Sequence, residues 1–327
     1  MRGLSGDPDA TSGRLDPRMR WRELTVRLSH SRTPTVDGAP HTLAPSGYLV
    51  GEYPFAGLQE VNTLQFASSG NVTVAYELTG HGEPLLLLPG LAAPASLWPQ
   101  RWLELLEGTF TVIAMSHRGT GQSSRVDGPF STLDLADDAA GILDAVGLGP
   151  AHVFGHSMGG LVAQALAVRH PDQVRSLVLA STAAGMTSKP TEPRDGTPRL
   201  PSFQHFRTAI ELWRSMAGPG FPESQPEVMR DLEACLIASP TPIVTILYQL
   251  QAISTHPPAL AAQISQPALV MHGTADQVVP ASSGRALARK VNDARFAEFA
   301  DIGHLVPWEE PGDCADHLVA LCKPPRR

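Results

Sequence analysis

The sequence predicts an α/β fold: a doubly wound, mostly parallel sheet with an inserted helical lid. Three observations point there. Short uninterrupted apolar runs, PLLLLPG, FTVIAMS, AHVFG, SLVLAS and ALVMHG, recur along the chain, and such runs suit strands buried on both faces, as a helix-covered parallel sheet requires. Segments of helical period lie between them, so strand and helix alternate with right-handed crossovers. The alternation breaks once, between about Gly185 and Gln263.

Residues 1–62 are rich in Pro, Gly, Ser, Thr and Arg with little apolar period, which predicts a weakly ordered N-terminal extension. From Phe66 the pattern tightens: NVTVAYEL alternates as a strand, and PLLLLPG and FTVIAMS follow. STLDLADDAAGILDAVG opens on Ser131 or Thr132 as a cap, carries Leu135, Ala139, Ile142, Leu143 and Val146 on one side, and stops at Gly147. AHVFG runs into an alanine-rich helix, and SLVLAS is the next strand. SKPTEPRDGTPRLPS is a loop by composition; behind it FQHFRTAIELWRSMAG, PEVMRDLEACLIAS and PIVTILYQLQAIS read as an all-helical insertion over the sheet. ALVMHG resumes the core, with helices at ASSGRALARKV and GDCADHLVALC. The expected division is therefore a core of residues 63–185 and 264–327 and a lid of residues 186–263.

A chain of 327 residues, 42% apolar, can bury such a sheet. Its net charge of −7 disfavours a nucleic-acid track or an anionic membrane surface. Small molecules are the expected partners. Cys314 and Cys322 lie eight residues apart on one helix, about 12 Å by helical rise, too far to bridge. No apolar run approaches membrane length, and the first thirty residues hold Asp7, Asp9 and Asp16 without an apolar leader core, so a cytoplasmic protein is expected.

The chemistry centres on GHSMGG. The pattern G-x-S-x-G stands between a strand and a helix, where Gly155 and Gly159 leave room for Ser157 to take a strained turn and expose its hydroxyl. The helix beginning at Met158 points its free N–H groups at the same spot. A serine hydroxyl needs a base, oriented in turn by an acid. Downstream, HGTADQVVP places Asp276 after a strand and FADIGHLVPWEEP places His304 after the next, in the order Ser, Asp, His. Asp301 is too near His304 in sequence to orient it. His117, His152, His156, His170 and His272 sit beside strands or turns, where structural histidines are commoner. For an oxyanion hole, Met158 N–H supplies one donor and Leu91 N–H, in PGLAAPASLW after LLLL, the other.

On these residues the chain from about Phe66 to Cys322 resembles the alpha/beta-hydrolase superfamily, in particular its esterase, lactonase and 3-oxoadipate enol-lactonase-like members. LLLLPGLAAPASLW, HRGTGQSS, HGTADQVVP and GHLVPWEEP match the family's pattern in register. The resemblance implies Ser157 as nucleophile, Asp276 as orienting acid, His304 as base, and Leu91 with Met158 as oxyanion donors. Two departures stand out. Pro89 precedes Gly90 where the family usually has histidine, and Ser116 stands where it often has aspartate, which puts a local pairing with Arg118 in doubt.

The expected reaction is hydrolysis of a carboxylic ester or lactone through an acyl-enzyme, with no metal or organic cofactor. A hydrophobic pocket is expected from Trp98, Phe203, Phe206, Trp213, Met216 and Tyr248. The same residues could also serve acyl transfer to an alcohol, carbon–carbon bond hydrolysis or elimination on a natural-product intermediate. A reading of a different class is a ligand receptor that retains the scaffold.

Overall fold

The computed structural model describes residues 63–185 and 209–323. The expected N-terminal extension, the loop SKPTEPRDGTPRLPS, Phe203 and Phe206 lie outside the described residues. β1 (Thr63–Ser69) and β2 (Val72–Gly80) form an antiparallel hairpin. They are followed by β3 (Glu83–Leu88), α1 (Gln100–Glu107), β4 (Phe110–Met115), α2 (Thr132–Val146), β5 (Ala151–His156), α3 (Met158–Arg169) and β6 (Val174–Ala180). Among the described residues four helices follow: α4 (Ala209–Met216), α5 (Phe221–Ser224), α6 (Pro226–Ala238) and α7 (Ile243–Ser254). The chain closes through β7 (Ala268–Gly273), α8 (Ala281–Lys290), β8 (Arg295–Phe299), α9 (Val306–Glu309) and α10 (Pro311–Cys322).

The eight described strands form one sheet in the order β1-β2-β4-β3-β5-β6-β7-β8. β2 pairs antiparallel with β4, and every pairing from β4 through to β8 is parallel. All six residues of β5 and of β7 are buried, which is why their sequences run apolar without alternation. Successive side chains still divide between the two faces. Leu86, Leu88, Val153, Leu177, Leu179 and Val270 join the α2, α3 and α8 layer. Leu85, Leu87, Phe154, Val178, Leu269 and Met271 pack with Trp102 and Leu106 of α1 and Leu318 of α10.

Local signals were accurate for α2. Ser131, rather than Thr132, caps it: the Ser131 hydroxyl accepts from Asp134 N–H, while the Asp134 carboxylate accepts from Ser131 N–H at 2.7 Å. Gly147 ends the helix at φ 70°, a left-handed conformation that glycine adopts without strain. β1 is the addition that sequence pattern missed, because a half-exposed hairpin strand lacks the continuous apolar run of the parallel strands. Cys235, Cys314 and Cys322 are free; the sequence spacing had argued against a bridge between the last two. No single helix among the described residues is long and apolar enough to cross a membrane.

The order of strands creates a switch point at β3 and β5. β4 lies on one side of β3 and β5 on the other, so the loops leaving the two carboxyl ends diverge and frame a crevice. The turn after β4 closes one side of it. Arg118 makes a bidentate pair with Asp138 of α2, both bonds at 2.7 Å, so the pairing left in doubt by Ser116 is made with a different carboxylate. Asp138 is fully buried. Asp138→Ala therefore leaves a nearly buried guanidinium without its counter-charge and is expected to cost about 3–5 kcal/mol; a thermal melt that stays within 2 °C or so of wild type would contradict this reading.

Candidate active site

Ser157 occupies the junction of β5 and α3 with φ 55° and ψ −117°. For a residue with a side chain this backbone costs about 1–3 kcal/mol and persists only where surroundings over-determine it. They do so here through glycine. A side chain on Gly155 would overlap the Gly159 carbonyl, and one on Gly159 would overlap the Leu88 carbonyl at the end of β3. The missing Cβ atoms thus let strand, turn and helix close together. Ser157 N–H donates to Ala180 O at 2.9 Å and Ser157 O accepts from the Thr182 hydroxyl at 2.8 Å, which lock the turn to the end of β6.

His304 reaches this turn from two strands beyond β6. Parallel neighbours are about 4.8 Å apart, so the loop after β8 must return roughly 14 Å across the sheet edge to meet the end of β5. Backbone bonds stage that return: Thr274 N–H donates to Phe299 O and Ala275 N–H to Ile302 O, at 2.8 and 2.9 Å. His304 N–H donates to Met216 O at 2.7 Å, and His304 O accepts from His156 Nε2 at 2.8 Å. Glu309, five residues on, receives the N–H groups of Gly303, Leu305 and Gly218 on its carboxylate. Burial pushes the Glu309 carboxyl up, opposed by those three donors.

The imidazole of His304 sits between the serine and the acid. Nδ1 lies 2.8 Å from Asp276 Oδ2 and Nε2 lies 2.9 Å from Ser157 Oγ. An ionised carboxylate only accepts, so Nδ1 carries the hydrogen and Nε2 is left to accept from the hydroxyl. Asp276 itself is heavily anchored. Its Oδ1 accepts from Val278 and Val279 N–H at 2.8 and 2.9 Å, and its Oδ2 also receives His272 Nε2 at 3.1 Å. Burial works against its ionisation, yet the neighbouring His304 charge and the bonds from His272 and His304 prevail and hold the carboxyl well below the usual carboxylate range. Asp301, by contrast, is exposed and has no contact with His304 among the described bonds.

The loop after β3 runs alongside. A Cβ on Gly90 would stand 3.3 Å from Ser157 Cβ, so the Gly90–Leu91 peptide passes directly by the serine. Neither Leu91 N–H nor Met158 N–H donates to a protein acceptor among the described residues. The loop's outer bonds explain how it tolerates Pro89 and Ser116. Pro89 O accepts from His117 Nε2 at 3.1 Å, and the Ser116 hydroxyl accepts from Ala95 N–H at 2.9 Å.

Of the residues expected to line a pocket, Trp98 and Trp213 are 4% and 5% exposed and pack against Trp308, at 5.5 and 6.1 Å between ring centroids. Met216 and Tyr248 are half-buried, the latter edge-on to Phe130. His156 and His272, read from sequence as structural histidines, and Glu309, which sequence reasoning passed over, brace the loops that carry Asp276 and His304. Their signal was present only as local spacing: His156 beside Ser157, His272 four residues before Asp276, Glu309 five after His304. His152 and His170 are structural, bonded to Ser176 and Glu83 and to Asp137.

Residues 83–311 match the family model described as the alpha/beta hydrolase fold. The chain belongs to the alpha/beta hydrolase family. Among its relatives is RutD of Azorhizobium caulinodans, named as a carbamate hydrolase, 30% identical over 264 residues that cover 79% of this chain and 98% of that protein. The rhodomycin D methylesterase DnrP of Streptomyces peucetius is 30% identical over 259 residues, 68% of this chain and 85% of that one. The enol-lactonase of Burkholderia xenovorans superposes with a TM-score of 0.68 at 25% identity, covering 79% of this alpha/beta hydrolase and 99% of the other chain. The protein is an enzyme of the hydrolase class.

The buried histidines of this hydrolase set its response to acid. Burial foremost lowers His117 to about 4 and, together with the His304 charge, lowers His156 to about 3, against an ordinary 6.5. Because each folded value lies below the unfolded one, the unfolded chain takes the proton first, and stability present above pH 6.5 is lost as pH falls toward 4. Each contributes a loss of about 2 kcal/mol by pH 5. The urea midpoint is expected to be clearly lower at pH 5 than at pH 7.5; equal midpoints would show that these imidazoles are not buried as neutral groups.

Proposed function

We propose that this protein is a serine hydrolase that cleaves a carboxylic ester or lactone of a small to medium apolar substrate through an acyl-enzyme intermediate. The observation that carries the reading is the unbroken chain of hydrogen bonds from Ser157 Oγ through His304 to Asp276, at 2.9 and 2.8 Å. Relatives named as a methylesterase and an enol-lactonase support ester and lactone chemistry.

In this reading His304 Nε2 takes the Ser157 proton as Oγ bonds to the acyl carbon. The resulting oxyanion is held by the N–H groups of Leu91 and Met158, the second at the amino end of α3 where the helix dipole adds to it. As the carbon–oxygen bond to the leaving group breaks, His304 returns the proton to the departing alkoxide. Water then adds to the acyl carbon with His304 again as base, and the acid leaves with Ser157 restored. Asp276 holds the imidazole in the tautomer that accepts at Nε2 and offsets its positive charge when protonated. The left-handed turn of Ser157 keeps its hydroxyl facing the crevice rather than capping α3, whose first turn receives no side-chain bond from it.

In this reading the insertion, expected at residues 186–263 and described from residue 209 on, serves as a lid over the core. Met216 and Tyr248, half-buried on the described part of that lid, are proposed to face the acyl group, with Trp98 and Trp213 supporting the wall behind.

Ser157→Ala and His304→Ala are each expected to lower turnover of p-nitrophenyl butyrate by about 10⁴–10⁶-fold, with the double variant little worse than either, because the two groups act as a unit. Additive losses would overturn the assignment. A fluorophosphonate probe should label wild type and not Ser157→Ala. The rate should also fall on acidification below neutral pH, since only neutral imidazole accepts the proton; a rate flat down to pH 4 or so excludes His304 as base.

A further inference from the structure

The loop that passes Ser157 is held at its ends by the core and in its middle by the helical insertion. His117 and Ser116 fix Pro89 O and Ala95 N–H, as described above. Between them, Ala92 is gripped on both sides of its residue: its N–H donates to Gln249 Oε1 of α7 at 2.8 Å, and its C=O accepts from the Thr241 hydroxyl, in the turn between α6 and α7, at 2.9 Å. Among the described residues these are the only hydrogen bonds that tie Leu91, Ala92 or Ala93 to another element. Ala92 has φ 59°, a left-handed conformation that alanine holds only when surroundings impose it.

The seating of α7 is equally specific. Thr245, one turn before Gln249, is buried against Gly119, whose own left-handed φ of 81° and missing side chain let the helix descend onto the turn after β4. Ile243, Val244 and Leu247 face outward, while Thr245, Gln249 and Ala252 face inward. Gln249 is wholly buried, and the need of Ala92 N–H for an acceptor fixes which end of its amide is oxygen. The amide nitrogen then has no protein partner among the described residues. The buried amide thus leaves its own nitrogen unpaired while serving Ala92 N–H, which an apolar side chain at 249 would leave without an acceptor.

We propose that Gln249 and Thr241 are positioning residues of the oxyanion loop, so that seating α7 on the core and aiming Leu91 N–H at the developing oxyanion are one event. This rests on the reading of Leu91 as an oxyanion donor. Gln249 sets the peptide that follows Leu91, and Thr241 prevents that residue from rotating back to a relaxed conformation. Without α7 in this seat, Ala92 would lose both constraints and the donor its aim.

The test uses the full chain with p-nitrophenyl butyrate, comparing Gln249→Met, which keeps volume and loses the acceptor, with Gln249→Glu, which keeps an acceptor oxygen in either protonation state. Gln249→Met is expected to lower kcat about 10–100-fold, less than outright loss of an oxyanion donor, with KM within about twofold of wild type. Gln249→Glu should recover most of that loss. Binding of butylboronic acid, whose tetrahedral adduct needs the same donor, should weaken in parallel with kcat in the methionine variant. A folded Gln249→Met with unchanged kcat overturns the proposal, as does an equal loss in both variants. Should Gln249→Met fail to fold, Thr241→Val, at a half-buried position, gives the answer: an expected fall of about 3–10-fold in kcat supports the grip, and no change overturns it. Failure of wild type to show Ser157-dependent turnover or fluorophosphonate labelling overturns the underlying serine-hydrolase reading instead, and this assignment with it.

Discussion

The backbone of Ser157 is the constraint from which the rest of the sheet edge follows. A residue with a side chain at φ 55° is stable only if the strand before it and the helix after it are pressed together, and that closeness requires glycine at 155 and 159. Once the turn is closed, the amino end of α3 faces the serine, the end of β3 lies against Gly159, and the loop after β3 has one course left, past the hydroxyl. The switch point at β3 and β5 thus delivers the nucleophile proposed above and its neighbouring N–H groups from strands that are adjacent in space and far apart in sequence.

Bringing an imidazole to that turn is a harder problem, because β6 and β7 stand between β5 and β8. The loop after β8 solves it with contacts that do not depend on side-chain packing alone. Glu309 collects three N–H groups, two of them flanking His304; His156 supports the His304 carbonyl; and Met216 O takes its N–H. His156 does this as a neutral ring, because its burial disfavours the charged form. Asp276 is held in the opposite state, ionised despite burial, by two backbone N–H groups and two imidazoles. Neighbouring groups a few ångströms apart thereby carry different charges, one neutral and one anionic, each set by its own environment.

The helical insertion is joined to both loops of the site. Met216 and Gly218 bond to the segment after β8, and Gln249 and Thr241 to the loop after β3. A cover that merely excluded solvent would need apolar contact; this one ends in directed hydrogen bonds to backbone groups at two of the places where the proposed reaction is sensitive to geometry.

Most of the core architecture was legible from local pattern, because burial on both faces leaves an uninterrupted apolar run and a helix cap leaves a recognisable pair of residues, as Ser131 and Asp134 do for α2. Ser157, Asp276 and His304 stood out for the same reason: each follows a strand, and chemistry restricts which residue types can occupy such positions. β1 did not, since a hairpin strand open on one side leaves too weak a signal. The long-range partners that brace the sheet and its loops were not legible at all. Nothing in the chain near Glu83, Asp138 or Gln249 announces His152, Arg118 or Ala92, because those contacts close over tens of residues or more. Sequence by itself determined which groups could react and on which strand ends they stand; tertiary structure decided how they are aimed, because direction comes from hydrogen bonds and close approaches that exist only after the sheet has brought distant segments together.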